Sequence, residues 1–506
     1  MKKGWMGLAL LVAILAVTTM FTNIPLSAKS ADANPILTAT EAEEWTALFD
    51  RRGQNTRTWL GADGIYSVAL DGNDAMGSAT DSTNTFFIFS DTLMGTSDEN
   101  GQRIIKDAMP AQSSALLKGN TANADALSFV YGVKGSMNIG SHLFREHKWM
   151  LDCFVVGEKL YILGFPQQDW KPKQIDMITI PIENGEPVYK NYKETKNIEQ
   201  LWYRDGDRYL YAYGIGVTAN TKSAGAPNPD GYLYIYGYRD AMKEFSRKDL
   251  IVCRIHENDF PDFSNVTYWT GNGWGNNIED SAVLLTDVSC EMSVTPITEG
   301  AYKGKYIAIY TQYTRSSNIM YAIGDSPTGP FDTPVKFYHA EEHGTVGASG
   351  KGTRVVYNAK AHPHLSTPTK LLVSYNVNVE GDGVEQWTTD YHPRFVWLDL
   401  DPYNEYVPPA ETTAIAPESS SSPETTNSPI TSETPQTSSP PMTTTAPITQ
   451  NTPETNAPPV TTSPETTQNQ EKTPTKDKNS TLVIAFVTIG IAVSSLSLYL
   501  IKKKKK

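Results

Sequence analysis

The 506-residue sequence predicts an all-β fold, a five-bladed β-propeller followed by a disordered stalk and one transmembrane helix. Three observations carry that expectation. From residue 34 to 408, short β-branched and aromatic runs alternate with Gly, Asn, Asp and Pro turns, and hardly any stretch has a helical apolar period. The strongest of these runs recur at a near-constant interval of about 70 residues. The two ends of the chain have the composition of export and anchoring segments.

Residues 1–33 begin with basic Lys2 and Lys3, continue through an apolar run from Leu8 to Val17 and on to Phe21, and end in small residues at Ala28 or Ala33. That is the order of a secretory signal peptide. Residues 34–408 form the body. Residues 409–480 are nearly all Thr, Ser, Pro, Glu, Asn and Gln, which cannot bury enough apolar surface to fold. Their proline content predicts an extended stalk reaching about 200 Å. Residues 481–501 carry no charge and are long enough as a helix to cross a bilayer, and Lys502 to Lys506 should remain cytoplasmic. This tail resembles the end of a Gram-positive cell-wall protein but has no LPxTG motif, which predicts a retained single-pass anchor with the body on the extracellular face.

In the body, the strongest runs are 86–91, 160–165, 233–238, 306–311 and 371–376, whose first residues stand 74, 73, 73 and 65 apart. Units of that length, each with about four strands, fit propeller blades with decorated loops. Each run follows a less hydrophobic strand: 63–68, 151–155, 214–218, 291–295 and 361–365. As first strands these would line a central channel and place Asp63, Asp152, Glu291 and His362 around one axial pocket. The strand 394–399 completes the last unit, with residues just after the signal peptide helping to close it. A pair of two-sheet sandwiches is the alternative architecture.

Composition narrows the chemistry. The net charge of −13, without a basic stripe in the body, argues against a nucleic-acid partner. Cys153, Cys253 and Cys290 lie in no CxxC or CxxxH spacing, so neither structural zinc nor a disulfide framework is indicated, and they read as small buried residues with room for one bridge. There is no GxSxG, no HExxH and no phosphate loop. Two or three carboxylates facing one pocket are instead the minimum equipment for glycosidic cleavage. Asp152 and Glu291, each between apolar neighbours, are candidate acids, and a partly buried glutamate with a raised pKa would make a general acid. The 26 tyrosines and ten tryptophans suit stacking on sugar faces, with Trp149, Trp202, Trp269, Trp274 and Trp387 in loop or strand-end contexts. Tyr238 and Asn376, at the ends of their runs, join Trp149, His362 and Arg394 as candidate substrate contacts. His362 and His364, spaced to share one face of a strand, make His362 a candidate calcium ligand as well; no other cofactor is expected.

The stretch Trp59-Leu-Gly-Ala-Asp-Gly-Ile-Tyr-Ser-Val-Ala-Leu-Asp-Gly, followed after an insertion by Phe86-Phe-Ile-Phe-Ser-Asp-Thr, resembles the opening of secreted bacterial five-bladed propellers of a domain-of-unknown-function type that includes endo-D-arabinofuranases. The resemblance continues through Asp230-Gly-Tyr-Leu-Tyr-Ile-Tyr-Gly, Tyr357-Asn-Ala-Lys-Ala-His-Pro and Tyr391-His-Pro-Arg-Phe, and covers essentially the whole body. It implies that paired aspartates of the first blade, here Asp63 and Asp91, are catalytic. The wider group of arabinanase and β-xylosidase propellers looks similar in using two aspartates and a glutamate, matching Asp63, Asp152 and Glu291 by position.

Each candidate has a structural alternative: a turn aspartate for Asp63, a turn cap for Asp91, core hydrogen bonding for His362, an inter-blade salt bridge for Arg394. The sequence expectation is therefore a monomeric, surface-held glycoside hydrolase, endo-acting on an arabinan-like polysaccharide. The alternative is a non-catalytic carbohydrate-binding propeller, an adhesin or capture module, displayed on the same stalk.

Overall fold

The computed structural model describes residues 37–132, 143–166, 171–242 and 247–401. The signal peptide, stalk, anchor and lysine tail expected from the sequence lie outside the described residues. No helix among the described residues is long and apolar enough to cross a membrane. The described part is all-β, as expected.

The chain opens with β1 (Ala39–Glu41) and a short helix, α1 (Glu43–Phe49). Glu43 and Glu44 favour the helix N-terminus, and Trp45, Leu48 and Phe49 bury one face at i, i+3 and i+4. A three-stranded sheet joins β2 (Thr58–Ala62), β5 (Thr92–Ser97) and β6 (Arg103–Lys106). Five larger antiparallel sheets follow one another along the chain. The first contains β3 (Tyr66–Ala69), β4 (Asn84–Phe89), β7 (Ser113–Lys118) and β8 (Leu127–Val130). The second contains β9 (Lys148–Val156), β10 (Lys159–Pro166), β11 (Asp176–Glu183), β12 (Glu186–Pro187) and β13 (Lys193–Thr195). The third runs β14 (Trp202–Asp205), β15 (Tyr209–Asn220), β16 (Tyr232–Ala241), β17 (Lys248–His256), β18 (Thr267–Trp269) and β19 (Trp274–Gly275). The fourth is β20 (Met292–Pro296), β21 (Tyr306–Thr311), β22 (Asn318–Gly324) and β23 (Val335–His339). The fifth orders β24 (Thr353–Ala361), β25 (Lys370–Glu380) and β26 (Arg394–Asp399), with β1 added outside β26, Ala39 opposite Leu398.

Each of the five apolar runs pairs directly with the innermost strand of its sheet (β3, β9, β15, β20 or β24), which makes it the second strand from the centre, and each is buried on both faces, which is why it reads as a continuous apolar stretch rather than an alternating one. Alternation nevertheless survives in what each residue touches. Phe87 and Phe89 of β4 pack with Trp59 and α1, whereas Phe86 and Ile88 pack toward Leu160 and Ile162 of β10. In β21, Ile307 and Ile309 face the fifth sheet's core while Tyr306, Ala308 and Tyr310 face the third's. The strands β4, β10, β21 and β25 thus divide their side chains between two neighbouring inter-sheet layers, while the buried apolar side chains of β16 all join one large core.

The strands that meet at the centre are β3, β9, β15, β20 and β24, each packed on the next. Lys360 over the Tyr66 ring and Ser67 bonded to His362 connect the last of them back to the first. Four of the five expected first strands are in place. The fifth is not 361–365: β24 ends at Ala361, because Pro363 starts a 3-10 turn over Pro363–Leu365. Cys153, Cys253 and Cys290 are free thiols, the first two buried.

Candidate active site

Asp63 lies where β2 passes into β3, and Asp91 where β4 passes into β5. The two junctions face each other, the Asp63 N–H donating to the Asp91 carbonyl at 3.1 Å and the Ser90 N–H to the Asp63 carbonyl at 2.9 Å. Gly64 accommodates the turn with φ of +56°. The Ser90 hydroxyl accepts from the Met150 N–H at 3.0 Å, fastening this crossing to β9.

The Asp63 Oδ2 accepts from the Tyr357 hydroxyl at 3.3 Å, and its buried Oδ1 has no hydrogen-bond partner among the described residues. Burial, reinforced by the nearby Asp91 and Glu291 carboxylates, pushes the Asp63 carboxyl well above the ordinary carboxylate range; the Tyr357 hydroxyl and Lys360 ammonium oppose this less strongly. Asp91 accepts from Trp149 Nε1 at 3.3 Å through Oδ2, and its carbonyl accepts from the Tyr391 hydroxyl at 3.1 Å. Glu291, just before β20, is ion-paired with Lys360, a buried lysine whose ammonium also sits 3.7 Å from the centre of the Tyr66 ring. Asn376 donates from Nδ2 to the Ala62 carbonyl at 3.3 Å, and its buried Oδ1 also lacks a partner among the described residues. The structure thus places Asp63, Asp91, Glu291, Trp149 and Asn376, each a candidate from the sequence, at one end of the central strands.

Asp152 stands apart, within β9 and three residues beyond Trp149. Its Oδ1 accepts from its neighbour Cys153 N–H at 2.8 Å and its Oδ2 from Val217 N–H at 2.6 Å. Burial outweighs these two bonds and raises its pKa to about 8. It lines a cavity of about 50 Å³ with Asp74, Thr218, Ser293 and Lys360, to which all five central strands contribute. Lys360 therefore stands between two compartments, the Asp63–Asp91–Glu291 cluster at one side and the Asp152 cavity at the other.

Three expected site residues belong elsewhere. His362 spends both ring nitrogens, on Ser67 Oγ at 2.7 Å and Ser374 Oγ at 2.8 Å, between the Phe87 and Phe395 rings. Burial holds it well below the ordinary imidazole range, and it offers no nitrogen to calcium or substrate. His364, beyond the proline, pairs instead with Asp74 at 2.7 Å. Arg394 is consumed by the Thr389 and His392 carbonyls at 2.6 and 2.8 Å, pinning the segment that carries Tyr391. Tyr238 is packed inside the third sheet's core. The carboxylates of Glu146, Asp176 and Glu194 also converge, but around the buried Lys148 ammonium, which ion-pairs with all three.

Tyr357, Lys360 and Tyr391 were not singled out from sequence. The first two lie within the Tyr357-Asn-Ala-Lys motif, with Lys360 between Ala359 and Ala361 near the end of β24.

The fold and site define an all-β protein with converging acids at one end of its central strands. Residues 43–399 match the family described as "Domain of unknown function (DUF5005)", and the chain belongs to that family. No curated protein sequence matches it. Its structure is similar to that of a candidate hydrolase from Bacteroides ovatus, with 17% identity, 71% of this chain and 90% of that chain covered, and a TM-score of 0.52. Weaker similarity extends to an α-L-arabinofuranosidase from Podospora anserina (12% identity, 70% and 99% covered, TM-score 0.35) and a GH43_1 enzyme from Xanthomonas citri (13%, 69% and 92%, 0.35). These likenesses concern the fold alone.

Proposed function

We propose that this protein is a glycoside hydrolase in which Asp63 and Asp91 act as a pair. The observation that carries the reading is the half-buried Asp63 carboxyl, whose buried Oδ1 has no partner among the described residues, clamped beside Asp91 through the backbone. A carboxyl whose pKa is raised by its surroundings can donate its proton to a leaving glycosidic oxygen. Asp91, fixed by the Trp149 indole, is the partner that attacks the anomeric carbon or deprotonates a water. Glu291 is not the free proton donor expected from the sequence, because its ion pair with Lys360 engages it; its charge adds to the burial and the Asp91 carboxylate that raise the Asp63 carboxyl. The orphaned acceptors on Asp63 and Asn376 suit sugar hydroxyls, which supply donors in a fixed array.

On this reading the five larger sheets are the blades of a five-bladed propeller, supported by the chain-order packing of their first strands. The substrate is an arabinan-like, furanoside-containing polysaccharide cut internally, a reading that rests on the sequence resemblance. The monomeric body is held at the outer face of the cell membrane by residues 481–501, as the terminal composition suggests.

The test is to incubate the purified protein with arabinans, arabinogalactans and host glycans and compare reducing ends released by wild type, Asp63→Asn and Asp91→Asn. Release that both substitutions abolish, with the fold intact, supports the hydrolase. Glycan binding without any release, unaffected by either substitution, leaves a displayed carbohydrate-binding module in its place.

A further inference from the structure

We propose that Tyr313 is the stacking platform of a sugar subsite at the rim of the acid cluster, an inference that rests on the glycosidase reading above. Met292 pairs with Tyr310 in the β20–β21 ladder, so the turn that follows β21 lies at the Glu291 end of the fourth sheet. Within that turn Arg315 forms a β-bridge with Tyr357, the residue whose hydroxyl reaches Asp63. Tyr313, two residues earlier, donates its N–H to the Asp287 carbonyl at 3.0 Å, on the segment that leads to Glu291. Chain geometry then keeps the Tyr313 backbone within about 12 Å of that of Tyr357.

Two independent features mark the turn. Among the described residues, Tyr313 is the one exposed aromatic side chain, with 44% of its surface accessible. The other Phe, Trp and Tyr rings among the described residues are buried wholly or in part, so this ring contributes little to packing. The second feature is backbone strain. Asp287, Tyr313, Thr314 and Asn358 have φ of +59°, +57°, +70° and +60°, four of the six such non-glycine residues among those described, gathered on one rim. A β-branched threonine there is a true outlier, and such strain persists where the surroundings hold it for a purpose. It holds the exposed Tyr313 on the turn that bridges to Tyr357, whose hydroxyl reaches Asp63. A sugar ring has an apolar C–H face and a hydroxyl edge, which the amphipathic tyrosine matches.

The test measures affinity for arabinan by affinity electrophoresis of the full chain, on an Asp63→Asn background so that binding is read without cleavage. Glycine accepts the φ of +57° freely, so Tyr313→Gly deletes the ring without adding strain; Tyr313→Asn serves if that variant does not fold. We expect affinity to fall roughly threefold to tenfold, and Tyr313→Trp to restore it. Unchanged affinity in a folded Tyr313→Gly variant overturns the subsite while leaving any observed hydrolysis standing. Tyr313-dependent binding with no cleavage by wild type keeps the subsite and overturns the hydrolase. Absence of both binding and cleavage overturns both.

Discussion

The backbone N–H of Asp63 donates to the carbonyl of Asp91 at 3.1 Å, which ties two carboxylate-bearing junctions together independently of their side chains. The β2–β5 ladder lies on one side of this contact and the β3–β4 ladder on the other. The acids cannot separate unless one of these ladders breaks, so their spacing is set by rigid strands rather than by mobile loops.

Tyr357→Phe removes the hydroxyl that favours the ionised form of Asp63. The carboxyl should then hold its proton to higher pH. If Asp63 is the proton donor, the alkaline limb of the pH–rate profile moves up by about one pH unit. A limb that stays in place removes Asp63 from that role.

Asp152 gives a prediction about stability. Its folded pKa of about 8 lies above the ordinary carboxylate value, so from about pH 4 upward the folded state retains a proton that the unfolded chain has lost. Its contribution is fully present below that range and disappears as pH rises through 8. Thermal midpoints recorded from about pH 5.5 to 8.5 should fall, and Asp152→Asn should flatten the decline. An equal slope in the variant would assign the effect to another group.

Lys360→Met should be costly, because it leaves the Glu291 carboxylate without its buried counter-ion. Loss of one partner of such a pair costs about 3 kcal/mol or more. Adding Glu291→Gln should recover over half of that, as read by urea unfolding in a double-mutant cycle. Additive losses would mean that the two residues act separately.

Gly61→Ala tests the support of Asp91. A Cβ at residue 61 would lie 1.8 Å from the Tyr391 carbonyl oxygen, backbone that must shift to admit it. Tyr391 in turn donates its hydroxyl to the Asp91 carbonyl. We expect about 2 kcal/mol of destabilisation, together with a fall in kcat at temperatures where the variant remains folded. Full activity would show that Tyr391 does not position Asp91.

The second strands were the most legible part of this fold, because burial on both faces writes an unbroken apolar run such as Phe86 to Phe89. The first strands were harder to read, since they carry polar residues for the channel. The error at His362 came from letting a period of two run through Pro363, where the backbone turns. Asp63 and Asp91 could be paired only through the family resemblance, since no local pattern shows that residues 28 apart face each other. Asp152 and Glu291 were both recognised as acids among apolar neighbours, but depth along the axis separates them, and spacing carries no depth. Lys360 was missed because a buried lysine looks the same in sequence as a solvated one. Tyr238 and Arg394 have the composition of binding residues, yet packing and two carbonyls claim them.

The pairing of β1 with β26 has a mechanical consequence. Ala39 stands opposite Leu398 and Glu41 opposite Val396, so the chain enters and leaves this antiparallel ladder at the same end. A tension applied between residues 37 and 401 would load its hydrogen bonds one after another, as in a zipper, rather than together in shear. The first element to yield under force would be this three-residue seam, peeling away before the sheets that hold the acids feel any load.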